Sequence, residues 1–181
     1  MHRLFVALRP PPAIRSLLLA ATGVGMPGIR WQDDEQLHLT LRFVGAVERQ
    51  QAEDVAAALS GIVAPMPEVR VDGVGSFEKR GRTDTLWARI VPADTLTALH
   101  RKVDQALGRA GIAPDPRRYL PHVTLARVAR GGGDPVAIGR WLADHAALST
   151  PPFALAHVVL YESHLGAEGA RYEAVARWPL G

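Results

Sequence analysis

Cysteine is absent from this sequence of 181 residues, which excludes disulfide bonds, thiolate metal ligands and a cysteine nucleophile. Long apolar runs are absent too, since no window approaches the ~20 apolar residues of a membrane-spanning helix. The apolar run at residues 4–8 is too short for the core of a signal peptide, and prolines follow it at positions 10–12. These absences lead us to expect a cytoplasmic protein that does not enter a membrane.

Lysine is scarce, and arginine supplies almost all of the positive charge. Lys79 and Lys102 are the only lysines in a chain whose formal net charge is +3. Guanidinium groups bind phosphate in a bidentate manner, so this composition is compatible with a nucleic-acid ligand. A GC-rich coding sequence produces the same arginine bias, and the composition leaves both explanations open.

The length and the turn signals predict one domain, residues 1–181, built from alternating strands and helices. Strands are predicted at residues 3–9, 37–44, 69–77, 85–91, 119–126, 153–161 and 172–178, and helices at 13–21, 48–63, 94–107 and 135–145. Gly45 is expected to end the second strand and Asp94 to cap the third helix. Several strands follow each other through short connections, which favours an α+β fold with antiparallel sheets over a doubly wound parallel sheet.

A short motif occurs twice, as Leu37-His-Leu-Thr-Leu and as Pro121-His-Val-Thr-Leu, 84 residues apart. Each copy lies on a predicted strand flanked by helices, as if half of the molecule had been duplicated. In a strand, residues i and i+2 point the same way, so each histidine should lie beside its threonine on one face. The four apolar residues between and after them should face the core; they are Leu39, Leu41, Val123 and Leu125.

Paired imidazoles and hydroxyls suit the cleavage of a phosphodiester. Imidazole titrates near pH 6.5, so His38 and His122 can divide the work of a general acid and a general base. The hydroxyls of Thr40 and Thr124 can donate hydrogen bonds to the phosphate oxygens on which charge develops. Unordered placement gives only ~0.3 matches to His-x-Thr per chain of this composition, whereas two occur. The other five histidines are interpreted as packed or surface residues; they are His2, His100, His145, His157 and His164.

Other reaction types lack their motifs. A zinc site is disfavoured because there is no His-Glu-x-x-His segment, no cysteine and no carboxylate beside either motif histidine. No Gly-x-Ser-x-Gly segment and no Gly-x-x-x-x-Gly-Lys loop are present, which argues against a serine hydrolase and an ATP-dependent ligase. We therefore predict chemistry without a metal or another cofactor.

Four segments resemble a known family: residues 3–8, 37–45 and 121–127, and Val159-Leu-Tyr-Glu-Ser163. They are similar to the RNA 2′,3′-cyclic phosphodiesterases, also called 2′-5′ RNA ligases, of the 2H phosphoesterase superfamily. The resemblance implies a bilobal, pseudo-twofold α+β fold in which two antiparallel sheets surround a central cleft, with helices outside and one motif in each lobe. It also implies hydrolysis of an RNA 2′,3′-cyclic phosphate to a 2′-phosphomonoester and reversible 2′-5′ ligation. The implied partners are RNA ends or small 2′,3′-cyclic nucleotides, with tRNA halves among the candidates, and the implied state is a monomer.

The same resemblance implies roles for individual residues. His38 is the implied proton donor and His122 the implied proton acceptor. The residues alone do not show which histidine is the acid and which is the base, because the two motifs are nearly identical. Arg127 is the implied phosphate ligand, together with the two threonines, and Phe43 is the implied base-stacking residue. Strict alternation would turn Phe43 and Arg127 away from the histidines. A bulge or the strand end would have to re-aim them, or Phe43 belongs to the core.

Two other functions stay open. The first is a superfamily relative that acts on 2′-5′ oligoadenylate or another small cyclic nucleotide. The second, from another class, is an RNA-end binding module without turnover, which the presence of both histidines and both threonines disfavours.

Overall fold

The structure, a computed structural model, describes residues 1–167 and 169–181. Its helices are α1 (Pro12–Ala20), α2 (Arg49–Ser60), α3 (Ala93–Arg109) and α4 (Pro135–Asp144), with a short 3₁₀ helix at Asp34–Gln36. Its strands are β1 (His2–Leu8), β2 (Ile29–Trp31), β3 (Leu39–Val47), β4 (Glu68–Lys79), β5 (Arg82–Val91), β6 (His122–Val128), β7 (Phe153–Ala154), β8 (His157–Gly166) and β9 (Gly169–Pro179). Within the described ranges, no helix is long and apolar enough to cross a membrane.

Antiparallel pairing joins all of these strands, in the order β7-β4-β5-β6-β3-β1-β8-β9, with β2 also pairing to β6. The pair Leu39–Val123 is where β3 meets β6, so it connects the half β7-β4-β5-β6 to the half β3-β1-β8-β9. The predicted α+β fold with antiparallel strand pairing is confirmed, and the two halves of one nine-stranded sheet meet at this junction.

The order of elements repeats along the chain. Apart from the short strand β2 and the 3₁₀ helix, which lie between α1 and β3, the order β1-α1-β3-α2 is followed later by β5-α3-β6-α4, and the central strands β3 and β6 are equivalent in this repeat. One motif lies at the start of each central strand, because His38 immediately precedes β3 and His122 begins β6. The duplicated motif thus follows a duplicated order of strands and helices.

The main core packs apolar residues of the sheet against the helices. The four motif residues predicted to face inward are at most 2% exposed; they are Leu39, Leu41, Val123 and Leu125. Helix α3 contributes a buried stripe of Leu96, Leu99, Val103, Ala106 and Leu107. Burying a side chain of this size stabilises a fold by about 1.5–3 kcal/mol, so these residues hold the motif strands firmly to the helices.

Several predicted boundaries were wrong. Strand β3 continues past Gly45 to Val47, because Gly45 adopts a φ of 94° and still pairs with Leu4. Helix α3 begins one residue before Asp94, with Pro92 at the N-cap, so Asp94 lies in the first turn near the positive end of the helix.

Two further differences depend on pairing between distant segments. The predicted strand at residues 153–161 is two strands, because β7 pairs with β4 whereas β8 pairs with β1 and β9. Strand β2 was not predicted; its three residues are too few for a recognisable alternation, and its pairing with β6 holds it in place.

Gly75 of β4 allows the indole of Trp87 to lie against the backbone. A Cβ at this position would be 2.4 Å from Trp87 Cη2, and Trp87 is only 6% exposed. We predict that Gly75→Ala lowers the free energy of unfolding by about 1–3 kcal/mol, because the buried indole has to move. Urea denaturation followed by circular dichroism measures this change.

The matched control is Gly139→Ala in the middle of α4, where a Cβ meets nothing within 4 Å. Helix propensity predicts that this variant is more stable by about 0.5–1 kcal/mol. Equal stability changes for the two variants would show that contact with Trp87 does not matter.

Candidate active site

The two motifs meet on the face of the sheet that is opposite the main core. Leu39 and Val123 pair and point inward, so the neighbouring motif residues point outward on both strands. Continuing the register by one residue in each direction sets His38 opposite Thr124 and Thr40 opposite His122. The two histidines are then diagonal neighbours, at a spacing of about 7–8 Å between their positions in a regular ladder.

Both imidazoles are held by the same backbone contact. Nδ1 of His38 lies 2.6 Å from the carbonyl oxygen of Gln36, and Nδ1 of His122 lies 2.7 Å from that of Leu120. A carbonyl oxygen only accepts hydrogen bonds, so Nδ1 must donate and therefore carries the proton of the neutral ring. Nε2 is left in both rings as the nitrogen with the free lone pair, which is the atom available for proton transfer.

Aromatic rings form a wall beside each histidine. The ring of His38 lies 4.9 Å from that of Phe5 and 5.1 Å from that of Tyr172, between centroids. The ring of His122 lies 5.0 Å from that of Phe77 and 5.9 Å from that of Trp87. These walls limit the access of water to both imidazoles while leaving them on the open face of the sheet.

This environment disfavours the charged form of both rings. Burial lowers the pKa of His38 to about 4, although its hydrogen bond to the Gln36 carbonyl acts in the opposite direction. The positive charges of Arg127, His122 and Arg9 contribute further to this low pKa. Burial and the charge of Arg127 also lower the pKa of His122. The environment thus favours the neutral form of both rings in the free protein, and the charge of Arg127 acts on both.

One extra residue in β3 re-aims Phe43. Along the ladder with β1, the partners step from Thr40 directly to Arg42, so Leu41 has no partner and forms a bulge. Phe43 then lies on the same face as Thr40, with its ring 6.1 Å from that of Phe5. It is 48% exposed, so the alternative that Phe43 belongs to the core was wrong.

The same device occurs in β6. Along the ladder with β5, the partners step from Thr124 to Ala126, so Leu125 forms the bulge. Arg127 is thereby turned to the face of Thr124, and its Nη1 donates a hydrogen bond of 3.0 Å to Oγ1 of Thr85. Each bulge comes directly after a motif threonine, and the expectation from strict alternation fails for this reason.

The threonine hydroxyls are left available for a ligand. Within residues 1–167 and 169–181, neither Thr40 nor Thr124 makes a side-chain hydrogen bond. Both are partly buried beside the histidines. In the same described part of the chain, no group of three His, Asp or Glu side chains is arranged to hold a metal ion. All six residues named from the sequence therefore reach one face of the sheet, four from the motifs and two through the bulges.

Comparison with known proteins gives independent evidence of the family to which the chain belongs. The sequence model of the 2′-5′ RNA ligase superfamily matches residues 28–167, a range that contains both motifs. The chain belongs to this superfamily. The resemblance drawn from the motif segments is thus confirmed, and so is the enzyme class at the level of the family.

Individual relatives of the superfamily support this assignment over most of the chain. The RNA 2′,3′-cyclic phosphodiesterase of Aeropyrum pernix is 28% identical over 156 residues, which are 86% of this chain and 86% of that protein. The crystal structure of Escherichia coli LigT in apo form has a TM-score of 0.76 and 26% identity, covering 99% of this chain and 97% of that one. LigT complexed with 3′-AMP gives a TM-score of 0.78 at 24% identity, covering 99% and 98%, and shows the common fold.

The sequence analysis did not predict the aromatic rings that lie beside the two histidines. Phe5 lies in a segment quoted for the resemblance, and so does Tyr161, whose ring is 6.4 Å from that of His38, but nothing in either segment indicates contact with a histidine. Thr85 and Trp87 are two residues apart on β5, so they lie on one face of the sheet, and they pair with Arg127 and Thr124 of β6. Knowledge of this strand pairing would have been enough to place them beside the second motif. The missing information was the order of strands in the sheet.

We predict that the free protein has two histidines with low pKa, at about 4 for His38 and below 6.5 for His122. The reason is that burial penalises the charged imidazolium. Titration by NMR measures both values, and the nitrogen shifts should show the proton of the neutral form on Nδ1.

Inorganic phosphate should raise both pKa values, because a bound anion stabilises the imidazolium. His38→Asn and His122→Asn assign the resonances. A pKa of 6.5 or above for His38 in the free protein would contradict the described environment.

Proposed function

We propose that this protein is an RNA 2′,3′-cyclic phosphodiesterase that forms a 2′-phosphomonoester by two-histidine acid–base catalysis without a metal ion. The observation that carries the proposal is the pair of imidazoles on one face of the sheet, each with Nδ1 donating to a backbone carbonyl. Two fixed Nε2 atoms supply both proton transfers that the reaction needs. The superfamily match supports the choice of a phosphodiester as substrate.

The proposed reaction begins with a water molecule next to the cyclic phosphate. Nε2 of His122 accepts a proton from this water as its oxygen bonds to phosphorus. The bond between phosphorus and O3′ breaks, and Nε2 of His38 donates a proton to O3′. The product carries the phosphate on O2′, and the two histidines exchange their protonation states. In the reverse direction the roles are exchanged as well.

The low pKa values suit an enzyme that charges its acid only when substrate is present. The cyclic phosphate is an anion, so its binding offsets the positive charge of Arg127 and raises the pKa of both imidazoles. A proton taken up on binding can then reside on one of the two rings, and the proposed step uses the form in which His38 carries it. The aromatic walls limit the access of bulk water to the pair, which strengthens the interaction between imidazolium and phosphate.

The remaining predicted residues bind the phosphate and the base. The hydroxyls of Thr40 and Thr124 donate to the non-bridging oxygens, and Arg127, positioned by Thr85, compensates the charge that develops on them. The exposed ring of Phe43 lies on the same face and offers a surface on which a base can stack.

The proposal extends to the state and partners of the protein. We propose that residues 1–181 act as one domain whose two pseudo-symmetric lobes each supply a histidine. The substrates are RNA ends, including those of tRNA halves, or small 2′,3′-cyclic nucleotides, and the same site joins ends through a 2′-5′ bond when the reaction runs backwards. The protein acts as a cytoplasmic monomer.

We predict that the protein converts adenosine 2′,3′-cyclic phosphate to adenosine 2′-phosphate after dialysis against a chelator. His38→Ala and His122→Ala should each lower kcat by about 10²- to 10⁴-fold, because each removes one proton transfer. Chromatography of the products separates the 2′- and 3′-phosphates. Activity that is lost in chelator and restored by zinc would contradict the proposal, as would a 3′-phosphate product.

His157→Ala is the control variant, since this exposed histidine on β8 lies outside the motifs.

We further predict a bell-shaped dependence of kcat/KM on pH, with its maximum between about pH 4 and pH 6.5. Below the lower pKa both rings are protonated and no base remains; above the higher pKa both are neutral and no acid remains. The maximum of kcat should lie at higher pH, because the bound anion raises both values. A flat profile of kcat/KM from pH 4 to pH 8 would count against the histidine pair.

A further inference from the structure

A pocket of about 360 Å³ adjoins the site on the side of β2 and β9. Its lining includes Arg30, Gln32, Gln36, Arg127 and Tyr172. Two of these residues also belong to the active site, since Tyr172 meets the ring of His38 edge-on and Arg127 lowers the pKa of both histidines. A ligand in the pocket would therefore continue directly from a phosphate held by the histidines.

Two arginines face this pocket from adjacent strands. Arg30 of β2 and Arg127 of β6 are direct partners in the antiparallel ladder, so their side chains lie on the same face. Like charges at such positions destabilise a sheet unless an anion lies between them. In the described ranges, no carboxylate lines the pocket and neither arginine forms an ion pair. The pocket is thus a place where a negative charge would stabilise the protein.

A polar side chain without a protein partner also lines the pocket. Gln32 lies two residues after Arg30, lines the same pocket and is only 8% exposed. Its backbone N–H donates to the carbonyl of Leu125, but its side-chain amide makes no hydrogen bond to any residue that the structure describes. The amide atoms are open to the pocket and are not fully buried, so this group is free to bind a polar ligand there.

The neighbouring pocket around Arg9 and Arg15 differs in this respect. Both guanidinium groups already bind Asp34, at 3.2 Å and 2.8 Å, and Arg9 also reaches Glu35. Their charge is compensated within the protein. Arg30 and Arg127 differ from these two arginines because, within the described ranges, neither has a carboxylate partner.

We propose that Arg30, Arg127 and the Gln32 amide bind the phosphodiester that joins the terminal nucleotide of an RNA end to the nucleotide before it. The inference rests on the proposed function, because it takes the cyclic phosphate to lie between the histidines. Arg127 lies between the cyclic phosphate and this phosphodiester and can bind both, whereas Arg30 binds the phosphodiester alone. The protein therefore prefers an RNA end to a mononucleotide, and Arg30 is a specificity-determining residue.

The test compares two substrates that differ in this phosphodiester. Adenosine 2′,3′-cyclic phosphate lacks it, and the dinucleotide ApA with a 2′,3′-cyclic phosphate end contains it. Arg30→Gln should raise KM for the dinucleotide about tenfold, with kcat unchanged, and leave both parameters for the mononucleotide unchanged. A dinucleotide with an uncharged methylphosphonate linkage should show the same KM with both proteins.

Salt dependence gives a second readout of the same contact. For the dinucleotide, the slope of log(kcat/KM) against log salt concentration should be about 0.7 shallower in the variant, as expected for one lost phosphate contact to a single strand. Arg49→Gln removes the same charge from the exposed outer surface of α2 and is the matched control. It should change neither KM nor the slope.

Each alternative outcome is decisive. Equal KM values for Arg30→Gln and the unmutated protein on the dinucleotide would overturn the proposal, as would equal losses on both substrates. If the unmutated protein hydrolyses neither substrate, the proposed function fails, and calorimetric binding of the dinucleotide with a 2′-phosphate end decides the subsite. Binding about tenfold weaker in Arg30→Gln supports the subsite, and equal binding overturns it.

Discussion

The backbone pairing of Leu39 with Val123 is the contact on which the site depends. It is where the two halves of the sheet meet, and it fixes the register between two strands that start 83 residues apart in the chain. Because both partners are buried, the register cannot slip by one residue without exposing every apolar residue of both motifs. The packing of the core thus holds His38 and His122 at a fixed separation on the outer face.

The two halves use the same devices around that junction. Each histidine donates from Nδ1 to the carbonyl two residues earlier, each lies against aromatic rings, and each motif threonine is followed by a one-residue bulge. The halves differ in what the bulge presents: an aromatic ring from β3 and a guanidinium group from β6. A symmetric pair of imidazoles is thereby combined with an asymmetric surface, which suits the substrate proposed above, with its base on one side of its phosphate.

Much of this arrangement could be predicted from residue order alone. The alternation in both motifs correctly predicts which four residues face the core, and repetition of the motif anticipates the repeated order of strands and helices. The faces of Phe43 and Arg127 could not be predicted in this way, because one extra residue in a ladder reverses the alternation and leaves no mark in the sequence. Strand β2, with Arg30, was missed because three residues carry too little pattern.

The sequence by itself determined the chemistry available to this protein: two imidazoles with two hydroxyls, a strand pattern that keeps them out of the core, and no cysteine. Only the tertiary structure decided which groups stand beside them, namely the aromatic walls, the Thr85 contact of Arg127 and the pocket shared with Arg30. The physical reason is that periodicity is a local property of the chain. The neighbours of a side chain in a sheet are set by strand order, register and bulges, and these result from packing between segments far apart in sequence.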